Sequence, residues 1–155
     1  MATSALRWFK TALLMQIALI AYWLALEVVD AFPWNDLRVR SWDYSPRYEI
    51  AVNVFQLLGY TALFATGVRL FALLSVVGYA AYLGLQLWTW WRPYFQGASP
   101  EWQQEYTENY ALTLKLVPAE MPYPAPDAQH IVLQALTAVV LIVAVVALTK
   151  MRELR

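Results

Sequence analysis

The sequence predicts an all-α integral membrane protein: a four-helix transmembrane bundle with a short amphipathic helix in its third, extracytoplasmic loop. Three observations predict it. The chain is 61% hydrophobic and only 14% charged, with a mean hydropathy of +0.44, where soluble domains carry about a quarter charged residues. Four apolar runs each reach the length of about 20 residues that a bilayer core requires. Eight Trp and ten Tyr supply rings with one apolar and one wet edge, suited to the membrane–water boundary. The 155 residues are read as one four-span membrane domain, 1–155.

The first span is expected over about 9–29. Arg7 and Lys10 precede an apolar run broken only by Gln16 before Glu27. A signal peptide is the rival reading, but the run exceeds an ordinary signal core and no small-x-small cleavage site follows it. The second span is expected at about 50–68 and the third at about 70–91. Thr66-Gly67-Val68-Arg69 alone separates them, and Gly67 accepts the left-handed backbone of a helix end, so they form a tight antiparallel hairpin. The fourth span, about 131–148, is the purest apolar run. No period-two pattern supports a barrel, which leaves helices as the way to satisfy the backbone in lipid.

The orientation follows from Lys and Arg. Arg7, Lys10, Arg69, Lys150, Arg152 and Arg155 fall on short segments at one side, with Glu153 the only acid there. The other side receives Arg38, Arg40, Arg47, Arg92 and Lys115, spread over two longer loops with most of the acids. A cell membrane location with both termini cytoplasmic is therefore expected.

The outer loops run over about 30–49 and 92–129. In the second, Ser99-Pro100-Glu101 reads as a helix start: a capping hydroxyl, a proline at the first helical position, and an acid near the positive dipole end. Trp102, Tyr106 and Tyr110 follow at intervals of four, with Glu101, Gln104, Glu105 and Glu108 on another face. Four prolines between Pro118 and Pro126 predict an extended path, and Asp127 caps the fourth span.

Each span carries one polar stripe at helical spacing. These are Gln16, Trp23, Glu27 and Asp30; Glu49, Asn53, Gln56 and Tyr60; Ser75, Tyr79, Tyr82, Gln86 and Thr89; and His130, Gln134 and Thr137. Of these, only Gln16 and Ser75 fall clearly in the cytoplasmic half. An unpaired amide or carboxyl facing lipid costs several kcal/mol, so the stripes should face one another, water or a ligand. The expectation is a polar pocket open to the outer side above an apolar plug. Interhelical amide hydrogen bonds and interfacial charges are the plainer explanations of the same residues.

A partly desolvated carboxylate has a raised pKa and can exchange protons near neutrality. Glu27, Glu49, His130 and Asp30 are accordingly the candidate catalytic groups. Asn53, Gln56, Tyr82, Gln86, Gln134, Trp23 and Trp91 are the candidate contacts to a substrate. The expected function is binding of a lipophilic small molecule, with acid–base chemistry such as isomerisation, cyclisation or ring opening as its enzymatic form. Two alternatives stand beside it: a non-catalytic accessory subunit of a membrane complex, and an oligomeric transporter or channel. The expected partners are the lipid bilayer, the small molecule, and further copies or a membrane-complex partner. No cofactor and no metal are expected. The absence of Cys excludes disulfides, thiolate metal sites and thiol redox relays, and the single His excludes bis-histidine haem. Equal numbers of basic and acidic residues, 11 of each, give no electrostatic case for nucleic acid.

Overall fold

A computed structural model describes the backbone of residues 2–39 and 44–151 and the side chains of 3–39 and 50–151. The described residues form five helices: α1 (Ala2–Val28), α2 (Tyr44–Ala65), α3 (Arg69–Gln96), α4 (Pro100–Asn109) and α5 (Ala128–Lys150). The described residues contain no strand, only two isolated bridges, Lys115 with Asp127 and Glu120 with Tyr123. Thr3–Val28, Arg69–Gln96 and Ala128–Lys150 are long and apolar enough to cross a membrane. α2 is different. Its apolar part, Ile50–Ala65, is 16 residues, and at 1.5 Å per residue it covers about 24 Å of a core about 30 Å thick. The turns before Ile50 hold Arg47, Tyr48 and Glu49, which shorten the greasy stretch.

The four long helices close into a ring, in which α1 packs on α5, α5 on α3, α3 on α2 and α2 on α1. The ring turns its large side chains outward. Phe55 is 76% exposed and Leu14 66%, and Leu70, Val77 and Ile142 are also exposed. In water so much apolar surface would drive association. Against lipid tails it costs nothing. That surface and the three long apolar helices mark a membrane protein.

Two core layers fill the ring. In the half that holds both termini, Ala12, Phe64, Ala72, Ala144, Ala147 and Met151 pack together, with Phe9 stacked on Phe64 at 5.5 Å. The alanines let backbones approach closely, as helices in lipid require. In the other half the core is Leu19, Ile20, Trp23, Leu57, Tyr79, Tyr82, Leu133 and Val140, with three large aromatic rings among them.

The connections follow local chemistry. Gly67 adopts φ 68° and its N–H donates to Phe64 O (3.2 Å), while Thr66 Oγ1 donates to Leu63 O (2.8 Å), so α2 turns directly into α3. Asn35 finishes α1 by donating to Leu26 O (2.9 Å) and Val29 O (2.8 Å) and accepting from Ala31 N (2.7 Å). Ser99 Oγ accepts from Trp102 N (3.3 Å) at the start of α4. The proline-rich segment departs from a plain extended path. Tyr123, lying between Pro122 and Pro124, keeps its N–H and donates it to Glu120 O (2.7 Å), which closes a turn. The segment then packs back on α4, where Tyr106 OH donates to Ala125 O (2.9 Å). Leu114 N donates to Pro33 O (2.7 Å), joining the two long loops.

Candidate functional site

A cavity of about 410 Å³ opens in the half of the bundle away from the termini. α1 contributes Trp23 and Glu27 to its wall, and α2 contributes Ile50, Asn53 and Gln56. α3 contributes Tyr82, Leu85, Gln86, Thr89 and Trp90, and α5 contributes His130 and Leu133. The segment of α4 closes the far side with Trp102, Glu105 and Tyr110. A smaller cavity of about 90 Å³ lies beside it, under Asn35, Asp36 and Leu37 of the first loop. Trp23, Glu27, Tyr110, His130 and Leu133 line both, so the carboxylate and the imidazole stand in the partition between the two spaces.

The helix rotations that produce this wall are set by the small and large faces of the core. Gly78 shows how tightly one of them is set: a Cβ there would come within 2.3 Å of the Tyr60 ring. That ring packs edge-on against Tyr79 at 5.3 Å, and its hydroxyl accepts from Gln56 Nε2 (2.6 Å) at the cavity floor. Gln86 Nε2 donates to Thr137 Oγ1 (3.2 Å), while its Oε1 is buried with no hydrogen-bond partner. Below this, Tyr79 OH meets Thr61 Oγ1 at 3.0 Å. Gln16 and Ser75 are fully buried at the junction of the two core layers, and their side-chain polar atoms also lack a hydrogen-bond partner.

Of the candidate catalytic and substrate-contacting residues, Trp23, Glu27, Asn53, Gln56, Tyr82, Gln86 and His130 line this one space. Three others stand elsewhere. Asp30 lies past the end of α1, where it accepts from Leu37 N (3.5 Å) and pairs with Arg38 (3.8 Å) near solvent. Gln134 faces α3, where its Oε1 accepts from Trp91 Nε1 (2.7 Å), so this pair ties α3 to α5 behind the cavity wall. Trp91 is stacked on Phe95 at 5.8 Å. The side chain of Glu49 lies outside the described residues.

His130 is held from three sides. Asp127 Oδ1 accepts from His130 N (3.0 Å) as a helix cap and also contacts His130 Nδ1 at 2.6 Å. The ring lies 3.9 Å from that of Trp90 and 5.5 Å from that of Tyr110, centre to centre. An ionised carboxylate only accepts, so Asp127 assigns the proton to Nδ1 and leaves Nε2 as the ring atom able to exchange protons. Asp127 is itself fully buried; its other oxygen accepts from Thr113 Oγ1 (2.9 Å) and Gln129 Nε2 (3.1 Å). Burial opposes its charge, but the bonds and charge of His130, with the Thr113 bond, outweigh that cost and hold the carboxyl below its ordinary value. Lys115 approaches from the other side, donating to Thr113 Oγ1 (2.8 Å), Thr113 O (3.1 Å) and Tyr110 O. Desolvation lowers the Lys115 pKa, against the attraction of Asp127.

Sequence reasoning reached Asp127 only as a cap, because a backbone cap and a side-chain contact three residues on look alike in a sequence. Trp90 had a usable signal: it follows Gln86 by four positions, on the stripe that selects Gln86, whereas Trp91 is five away. Glu105, which the sequence pattern assigns to a face apart from Trp102, lines the cavity together with it. Among the described residues, no three His, Asp or Glu side chains converge as metal ligands would.

The fold and the site define a class: an all-helical membrane protein with a polar, aromatic-roofed cavity at one end of its helix ring. Comparison with protein-family models, curated proteins and solved structures gives no match, so a functional reading of this chain rests on its own residues.

Proposed function

We propose that the chain spans a cell membrane four times, with both termini cytoplasmic, and binds a lipophilic small molecule in the cavity at its outer end. There it performs acid–base chemistry in which His130 Nε2 and the Glu27 carboxyl are the proton-exchanging pair. α2 is read as the fourth span, a reading supported by its short hairpin to α3 and its packing against α1. The observation that carries the reading is the convergence of carboxylate, imidazole, amide and phenol groups from all four long helices on one space, with the imidazole oriented by a buried carboxylate. Sites of this kind combine apolar walls with a few directed polar groups. A permeation path finds less support, because the polar column stops above the layer of Ala12, Phe64, Ala72 and Ala144.

The test is to purify the full chain in mild detergent and identify co-purifying small molecules by mass spectrometry. Wild type should carry a lipophilic compound that Glu27→Gln and Asn53→Ala both lose, with thermal unfolding unchanged. His130→Gln should keep the compound and abolish its conversion. Retention of the same compound in all three variants, without loss of turnover, removes the reading. Orientation is checked separately: the chain has no Cys, so single cysteines at Thr3 and Ala98 should be labelled by an impermeant maleimide from opposite sides.

A further inference from the structure

We infer that the reaction at this site consumes water: the smaller cavity holds a water molecule that His130 Nε2 deprotonates for attack on a carboxylic ester of the lipophilic ligand. The inference rests on the reading of the larger cavity as a ligand site and adds the reaction type and the ligand's reactive group. Its basis is a set of hydrogen-bond acceptors that the protein leaves unmet. The smaller cavity, of about 90 Å³, is lined by Asn109, Gln129 and His130, together with Asn35 and Asp36 of the first loop. Neighbouring groups assign the direction of each amide. Ionised Asp127 only accepts, so Gln129 turns its Nε2 to it (3.1 Å) and keeps Oε1 as an acceptor. Asn109 Nδ2 donates to Glu105 O (3.0 Å), which leaves its Oδ1 as an acceptor. His130 donates its Nδ1–H to Asp127, which leaves Nε2 as an acceptor. Among the described residues, no donor of the protein meets any of these three atoms. Asn35 and Asp36 differ: Asn35 bonds Ala31, Leu26 and Val29, and Asp36 is engaged by Arg38. Gln129 is only 7% exposed, so an unmet acceptor there costs free energy that a bound donor would offset.

Water fits this set by size and by chemistry. One buried water needs about 15 Å³ and two to four polar partners, whereas pockets for drug-sized ligands begin near about 300 Å³. The unmet atoms are all acceptors, and water brings two donors. A hard cation would take oxygen at every position, and one of the three atoms is an imidazole nitrogen. The larger cavity adjoins across His130 and Leu133, which line both spaces. The step balances with water as the sole co-reactant. The water oxygen bonds to the ester carbonyl carbon while one of its hydrogens passes to Nε2. The bond from that carbon to the alkoxy oxygen then breaks, and the alkoxy oxygen takes the hydrogen from the imidazolium. The Asp127 carboxylate offsets the imidazolium charge while it lasts. A carboxylic acid and an alcohol leave, and His130 ends neutral as it began.

The test uses the full chain in nanodiscs with ethyl decanoate, in water labelled with heavy oxygen. Binding is followed by tryptophan fluorescence and product by mass spectrometry, with empty nanodiscs as the blank. Wild type should bind the ester saturably and release labelled decanoic acid at about tenfold or more above the blank. His130→Gln should retain binding and return the rate to the blank. Asn109→Leu fills the smaller cavity from a position outside the larger one, and should lower kcat about tenfold or more with KM unchanged. Asn109→Ala, which removes the acceptor without adding bulk, should lower kcat in the same way if the leucine variant fails to fold. Asn109→Asp keeps an oxygen acceptor there and should retain most of the turnover. Saturable binding without release of acid overturns the water-consuming reaction and leaves the lipophilic site standing. Absence of saturable binding overturns both. Label in the ethanol instead of the acid, an unchanged kcat in the folded Asn109 variants, or an effect on KM alone overturns the role of the smaller cavity.

Discussion

The two halves of the helix ring are built from the same four helices and behave as different materials. Near the termini, alanines at positions 12, 72, 144 and 147 pack around Phe64 in an apolar layer. At the other end, Trp23, Tyr79, Tyr82 and Leu133 form a layer of larger side chains, and beside it lies a cavity of about 410 Å³. The difference teaches that a site in a membrane bundle is made by side-chain size as much as by polarity. Small residues fill one end, large rings stand beside a cavity at the other, and the polar stripes then have a space to face.

The contrast is open to experiment from both ends, and the largest effect should come from the cavity end. Asp127→Ala strands Thr113, Gln129, His130 N and the His130 imidazole at a fully buried position, and should cost on the order of 3 kcal/mol in thermal unfolding. The same carboxylate predicts a pH effect. Its folded pKa lies below its ordinary value of 3.8, so the stability it supplies is present above that pH and is lost as pH falls through the lower, folded value. Thermal unfolding of wild type should therefore shift downward below pH of about 4, and Asp127→Asn should lack that component of the shift. A wild-type curve that stays flat there, or one matched by Asp127→Asn, would separate Asp127 from the stability of this end.

Phe64→Ala probes the closed end. Lipid is as apolar as the core, so the transfer contribution is small and the void dominates; a loss on the order of 2 kcal/mol is expected, with ligand binding at the cavity retained. Loss of binding without loss of stability would mean that the two halves are not separable. The smallest effect should come from Gln16→Leu, at their junction. It removes a fully buried amide whose polar atoms have no hydrogen-bond partner, and should stabilise the protein by about 1 kcal/mol. A loss of stability at that position would extend the polar column into the closed half.

Much of this molecule is legible without coordinates. Gly67 marks the hairpin, because only a residue free of Cβ crowding takes φ 68° without strain. Ser99 and Asp127 cap α4 and α5, because a short polar side chain reaches the open N–H groups of the next turn. The polar stripes of α1, α2 and α3 are also readable, since positions three and four apart share a face whatever surrounds the helix. Other features are not readable. Asp30 continues the stripe of α1, yet the helix ends at Val28, and the loop that follows turns Asp30 toward Arg38. Gln134 continues the stripe of α5, yet packing against Trp91 takes it out of the cavity wall.

The sequence by itself determined the helices, their apolar lengths, their caps and the hairpin, because hydropathy, dihedral preference and capping act within a few residues. The tertiary structure decided how far each helix rotates, that α4 covers one end of the ring, and that Asp127 orients the His130 ring as well as capping its helix. Those outcomes depend on how rings and small residues from separate parts of the chain fit one another, and that fit has no period along a sequence.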